Sequence, residues 1–181
     1  MNPHLKNDPR YQNHERRPDL AGEHPLGDTW QLIAMLVFAV ANATDYFLLG
    51  FSQKFNGMVS LWARLPFGLV LLTLGGWLAF YGIHVVFSDY REEPVMLTEG
   101  LFALMRHPVY LGAMLIYLAI LLLTLSPLGG LVFLGVVGLY QWLARHEESL
   151  MLGIFGEAYR EYQQRVPMWL PTPGALLKRK T

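Results

Sequence analysis

An arginine, a histidine and a tyrosine fall within five residues, at Arg106, His107 and Tyr110, where a polar stretch gives way to a long apolar one. Two adjacent acids, Glu147 and Glu148, stand at the far end of the next apolar run. Pro108 disfavours helical geometry at His107 and suits the first helical position, so a helix is predicted to begin at Pro108 with His107 as its cap. The open end of that helix, beside Arg106 and His107, would present backbone N–H groups and a positive dipole end to an anion. With the two acids nearby, the constellation matches a zwitterion that carries a carboxylate at one end and an ammonium at the other. Successive helical residues differ by about 100°, so one of Glu147 and Glu148 is expected to face the ligand. The other is expected to pair with Arg145, Arg160 or Arg165. The same residues would serve as membrane-interface anchors and a solvated charged helix end, and residue types alone leave both readings open.

The elements that would carry these residues are apolar. Of 181 residues, 53% are hydrophobic and only 15% charged, and the apolar residues gather in four runs of roughly 17–25, enough to cross a hydrocarbon core about 30 Å thick. The predicted fold is therefore all-α and integral to a membrane, with about four transmembrane helices. Span one is predicted over 30–49 and carries Asp45 close to its far boundary, where a structural role is favoured. The polar, glycine-containing stretch 50–60 reads as a connection whose Phe51, Phe55 and Met58 dip towards the headgroups. Span two, predicted over 61–87, holds Gly68, Gly75 and Gly82 at seven-residue intervals. They share one face, which reads as a close-approach seam against another span. His84 on the same span reads as a hydrogen-bonded helix histidine.

Span three is predicted from Pro108 to about Leu125, and Ser126-Pro127 leads at once into span four, over 128–143. So short a link forces an antiparallel hairpin. No breaker follows Leu143 until Gly153 and Gly156, which would carry Glu147 and Glu148 roughly 6–8 Å beyond the apolar boundary. A short amphipathic helix over 156–165 would follow, with Trp169 and Leu170 returning to the membrane surface. Residues 1–29, with Pro3, Pro9, Pro18 and Pro25, form a polar arm, leaving 30–181 as the membrane-embedded domain. Twelve of the fourteen lysines and arginines lie in the arm, the 88–106 connector and the segment after span four. By the positive-inside rule both termini and the start of span three face the cytosol, in the inner membrane if the cell is prokaryotic.

Composition removes several classes of function. There is no cysteine, so disulfides, thiolate metal sites and cysteine nucleophiles are excluded, and no metal is expected. A net charge of zero argues against a nucleic-acid partner. No Gly-x-Gly-x-x-Gly, phosphate loop, His-Glu-x-x-His or Gly-x-Ser-x-Gly occurs.

The run LTEGLFALMRHPVY from Leu97 to Tyr110, the span hairpin, RHEESL from Arg145, FGEAYREY from Phe155 and RVPMWLP from Arg165 together resemble the isoprenylcysteine carboxyl methyltransferase and phospholipid methyltransferase group. The resemblance covers about the C-terminal half. It departs at Gly100-Leu101-Phe102, where the group has Gly-Pro-Tyr. It implies S-adenosylmethionine bound on the cytosolic side, with Leu97, Gly100, Arg106, His107 and Tyr110 lining its site and a glutamate of the Glu147–Glu148 pair holding its amino group. Tyr159, Arg160 and Tyr162 would close over the reacting end. It also implies a lipid or prenylated acceptor, either an isoprenylcysteine carboxylate or a phospholipid amine, arriving among membrane lipids. An ionised carboxylate would need no general base, whereas an amine, phenol or thiol would call on His107, His146 or a glutamate. Some membrane sterol reductases are similar in the same region. That keeps an NADPH-dependent reductase as an alternative, with Arg91, Arg106, Arg160 and Arg165 the available phosphate ligands. A membrane scaffold without activity is the third reading.

Overall fold

Prolines and left-handed residues punctuate an otherwise helical chain. The computed structural model describes residues 26–88 and 95–171, and among them no strand occurs. The first 25 residues of the arm, the connector residues Asp89, Arg91, Glu92, Glu93 and Pro94, and Pro173 lie outside the described residues.

Helix α1, Gly27–Thr44, widens into a π-type turn over Asp45–Leu49. Gly50, at φ 69°, then reverses the chain into α2, Phe51–Met58. The sequence reading expected a loop here. Phe51, Phe55 and Met58 are spaced as one helical face, and all three are exposed, while Ser52, off that face, is buried. Helix α3 runs Leu61–Phe87 with Pro66 in its first turns, α4 runs Pro108–Thr124 and α5 runs unbroken from Pro127 to Phe155. Gly156, at φ 56°, turns the chain into α6, Glu157–Arg165.

Three of these segments, 27–49, α3 and α5, are long and apolar enough to cross a membrane; α4 has 17 residues. Span three of the sequence reading is thus a shorter helix. Pro108 fixes its start, and Leu125, at φ 50°, ends it. At 1.5 Å per residue it reaches about 26 Å.

The glycine face of α3 does form a seam, and its partner is α4. A Cβ on Gly75 would sit 2.7 Å from the Gly112 carbonyl oxygen, and one on Gly112 would sit 2.6 Å from that of Gly75. Gly68 lies against Leu123 and Gly82 against Val109 in the same antiparallel way. In lipid, where apolar surface alone gives little drive to associate, such backbone contact supplies the packing. On its other side α4 meets α5 and α1 through Phe38, Tyr117, Val136, Tyr140 and Leu143, with the Phe38 and Tyr117 rings edge-on at 4.9 Å. His84, read as hydrogen-bonded, is stacked parallel to the Phe80 ring instead.

The end where α4 meets α5 is tied by polar groups. Asp45 is fully buried and accepts from the Ser52 N–H at 2.8 Å, the Ser126 hydroxyl at 2.5 Å and the Leu128 N–H at 3.2 Å. Thr124 donates to Asn42 at 2.8 Å. Buried Arg64 donates to the Leu123 carbonyl at 2.6 Å and the Leu122 carbonyl at 3.3 Å, capping the C-terminus of α4. Asp45 therefore has the structural role expected of it, and Arg64 caps a helix end the sequence did not point to. With this turn fixed, α4 and α5 run antiparallel, and the start of one lies beside the end of the other.

Candidate active site

The opposite end holds the charged residues. Pro108 occupies the first position of α4 and His107 the cap, outside the helical region at φ −124° and ψ 63°. Ahead of it, Gly100, at φ 61°, opens a tight 3₁₀ turn over Gly100–Ala103, which packs Leu101 and Met105 into a cluster with Leu78 and Leu111. The C-terminal segment comes back over this turn. The Tyr162 hydroxyl donates to the Phe102 carbonyl at 2.6 Å, and the N–H groups of Arg106 and His107 donate to the carbonyls of Pro167 and Met168 at 3.0 and 3.3 Å. The backbone donors just before α4 therefore serve residues 167–168. Trp169 is partly buried, its ring 5.8 Å from the His107 ring.

Both carboxylates of α5 converge on His107 from different sides. Glu148 Oε1 lies 3.1 Å from His107 Nε2 and 2.9 Å from Arg106 Nε, and its other oxygen accepts from Gln163 at 2.8 Å. Glu147 Oε2 is 3.5 Å from His107 Nδ1, and its other oxygen accepts from the Tyr110 hydroxyl. The Arg106 guanidinium also donates to the Gln163 carbonyl at 3.2 Å. Side-chain exposures are 11% for Arg106, 9% for His107 and 10% for Glu148, against 17% for Glu147. Glu147 is thus the acid more open to a ligand. Burial opposes charge on His107, but the hydrogen bonds and charges of Glu147 and Glu148 outweigh it and raise its pKa above the ordinary value. A doubly protonated imidazole satisfies both acids, because each ring nitrogen then carries a proton.

The structure thus brings together Arg106, His107, Tyr110, Glu147 and Glu148. The partner of the second acid is Arg106, where Arg145, Arg160 or Arg165 had been expected. Arg145 is exposed. Arg160 pairs with Glu157 at 3.1 Å, both of them well exposed, and Arg165 donates to the Glu161 carbonyl of its own helix. Of the basic groups wanted for nucleotide phosphates, Arg160 and Arg165 are therefore not gathered beside Arg106, and Arg91 lies outside the described residues. Tyr159 and Tyr162 are buried against Met151, Leu152 and Phe155, and burial pushes both phenols up. Leu97 is half-buried ahead of the turn, and Gly100 is exposed with Tyr81 beside it.

Sequence reasoning missed Gln141, Gln163 and Trp169. Gln141 carried a signal, as the single amide in the apolar run from Pro127 to Leu143. Gln163 carried none, and Trp169 none beyond its place in the RVPMWLP run, because their roles depend on where the returning chain lies. Among the described residues no group of histidines and acids is arranged to hold a metal.

Residues 63–158, more than half of the chain, match a family described as phospholipid methyltransferase. That range includes every charged side chain of the cluster. Among curated relatives, protein-S-isoprenylcysteine O-methyltransferase B of Arabidopsis thaliana is 30% identical over 128 residues, covering 65% of this chain and 64% of the relative. Isoform A of the same plant is 26% identical over 150 residues, covering 77% and 72%. Protein-S-isoprenylcysteine O-methyltransferase of Mus musculus is 33% identical over 89 residues, covering 49% and 31%. The chain thus spans between about a third and three quarters of the length of these relatives.

Proposed function

Because the chain belongs to the phospholipid methyltransferase family, we propose that it is an integral membrane methyltransferase that uses S-adenosylmethionine to methylate the carboxylate of a lipid-tailed acceptor. The observation that carries this reading is the convergence of Glu147 and Glu148 on His107 at the start of α4. Two acids beside an arginine and an imidazole offer both signs of charge to a ligand that carries an ammonium and a carboxylate, which fits the chemistry of the donor. When bound, S-adenosylmethionine supplies a methyl group already activated by its sulfonium.

The residues then have separable tasks. Glu147, the more open acid, receives the ammonium of the donor, and Tyr110 and His107 line its site. Glu148 holds Arg106, His107 and Gln163 in register. Buried Tyr159 and Tyr162, with Trp169 against His107, limit water at this end. A carboxylate acceptor is ionised at neutral pH and needs no base. The two acids beside His107 raise its affinity for a proton, whereas a carboxylate acceptor asks no proton transfer of it. The names of the relatives agree with that choice. The distribution of lysine and arginine supports a site on the cytosolic face of the membrane.

The test is transfer of labelled methyl from S-adenosylmethionine into lipid extracts by the purified protein. Label released as volatile methanol on mild base is the expected result, because methyl esters hydrolyse. Base-stable label would indicate a phospholipid amine, as the family description suggests, and no incorporation into any lipid fraction would contradict the proposal.

A further inference from the structure

Gln141 lies deep in the apolar part of α5, where an amide is costly unless both of its ends find partners. Both do. Its carbonyl oxygen accepts from Trp169 Nε1 at 3.0 Å, and its amide nitrogen donates to Met168 Sδ at 3.3 Å. Residues 141 and 148 are seven apart, nearly two turns, so Gln141 and Glu148 share a face of α5 about 10 Å apart along its axis. One face of α5 therefore grips two things: Glu148 holds the side chains of Arg106 and His107, and Gln141 holds the segment whose carbonyls receive their N–H groups. Trp169 packs with both apolar clusters of the helix bundle, while Leu170 beside it is exposed. The segment 166–169 is thus a strap laid across the start of α4, and its only side-chain hydrogen bonds to α5 among the described residues run through Gln141.

We propose that Gln141 is a positioning residue, the anchor that keeps this strap on the start of α4 and so fixes the height and tilt of His107 between Glu147 and Glu148. The proposal rests on the reading that this site binds S-adenosylmethionine. Gln141 touches no reacting atom in this account; it acts through Met168 and Trp169.

The experiment uses the full chain in detergent, with S-adenosylhomocysteine as the probe. Gln141→Leu keeps the shape and suits the apolar helix, and Trp169→Phe keeps a ring but removes the N–H. Each should weaken binding roughly tenfold, the size expected when a buried group loses its partner, at nearly unchanged melting temperature. The double variant should be no worse than Gln141→Leu alone, because that change already breaks the bond that Trp169→Phe removes. A merely structural residue would lower the melting temperature in step with affinity. Docking is read independently by trypsin cleavage between Arg165 and Val166, which should be several-fold faster in Gln141→Leu. Unchanged affinity with unchanged cleavage, or additive losses in the double variant, would overturn the proposal. If the wild-type protein bound no probe, the proposed function would fail, and the cleavage rates alone would decide whether Gln141 holds the strap.

Discussion

The molecule buries carboxylates at both ends of the same helix pair, and it satisfies them in opposite ways. Asp45 accepts from two backbone N–H groups and a serine hydroxyl, none of which changes charge at ordinary pH. Glu147 and Glu148 face an arginine, an imidazole and a phenol. Neutral donors fixed by the backbone hold a carboxylate in one state, which suits a staple. Side-chain partners, the cationic ones among them, leave a carboxylate able to exchange one cation for another, which suits a site. The difference teaches that an acid beside a membrane span is to be judged by its partners as much as by its depth.

The largest effect should come from breaking the staple. Asp45→Ala leaves the Ser52 and Leu128 N–H groups and the Ser126 hydroxyl without their acceptor, and about 3–5 kcal/mol of stability should be lost. Chemical unfolding in detergent measures it, and a loss below 1 kcal/mol would place Asp45 outside the load path between α1, α2 and the α4–α5 turn.

Next in size is the ligand end. Glu147→Gln removes the charge that meets the donor, and affinity for S-adenosylhomocysteine should fall about 100-fold, or roughly 2.7 kcal/mol. The unfolding midpoint should hardly move. The contrast with Asp45→Ala is the point: equal loss of stability in both variants would erase the distinction drawn here.

The two ends should also differ in their response to pH. The folded protein binds the His107 proton more tightly than the unfolded chain, because the pKa is raised. Its contribution to stability is therefore fully present below the unfolded value of about 6.5 and is lost as pH rises through the higher folded value. Melting temperature should decline over that window in the ligand-free protein, and His107→Gln should flatten the decline. A decline that survives His107→Gln would assign it to another group.

The smallest effect is expected from Tyr110→Phe, which removes one hydrogen bond to a half-open acid. Donor affinity should drop by about three- to tenfold, and calorimetry would resolve it. A loss as large as that of Glu147→Gln would mean that the phenol, not the acid, carries the contact.

Much of this contrast was legible in the sequence, and the remainder was hidden for a physical reason. Apolar runs gave the helices, Pro108 gave the start of α4, and the unbroken pattern past Leu143 carried Glu147 and Glu148 to the same end as His107. The glycines at 68, 75 and 82 announced a seam because seven residues nearly close two turns. All of these are local signals. Arg106 as the partner of Glu148, Arg64 as the cap of α4 and the strap at Trp169 depend on where a distant segment lies, and no spacing encodes that. The stretch 50–60 was misread for a different reason. Its glycines and polar residues resemble a loop, yet Phe51, Phe55 and Met58 already had the spacing of a helical face.

The central claim is that the acids around His107 receive a cationic methyl donor. Isothermal titration of S-adenosylhomocysteine into the purified wild-type protein and into Glu147→Gln tests it most directly. The account predicts saturable one-site binding to the wild type and its near loss in the variant. No heat with the wild type, or equal affinity in both, would contradict it.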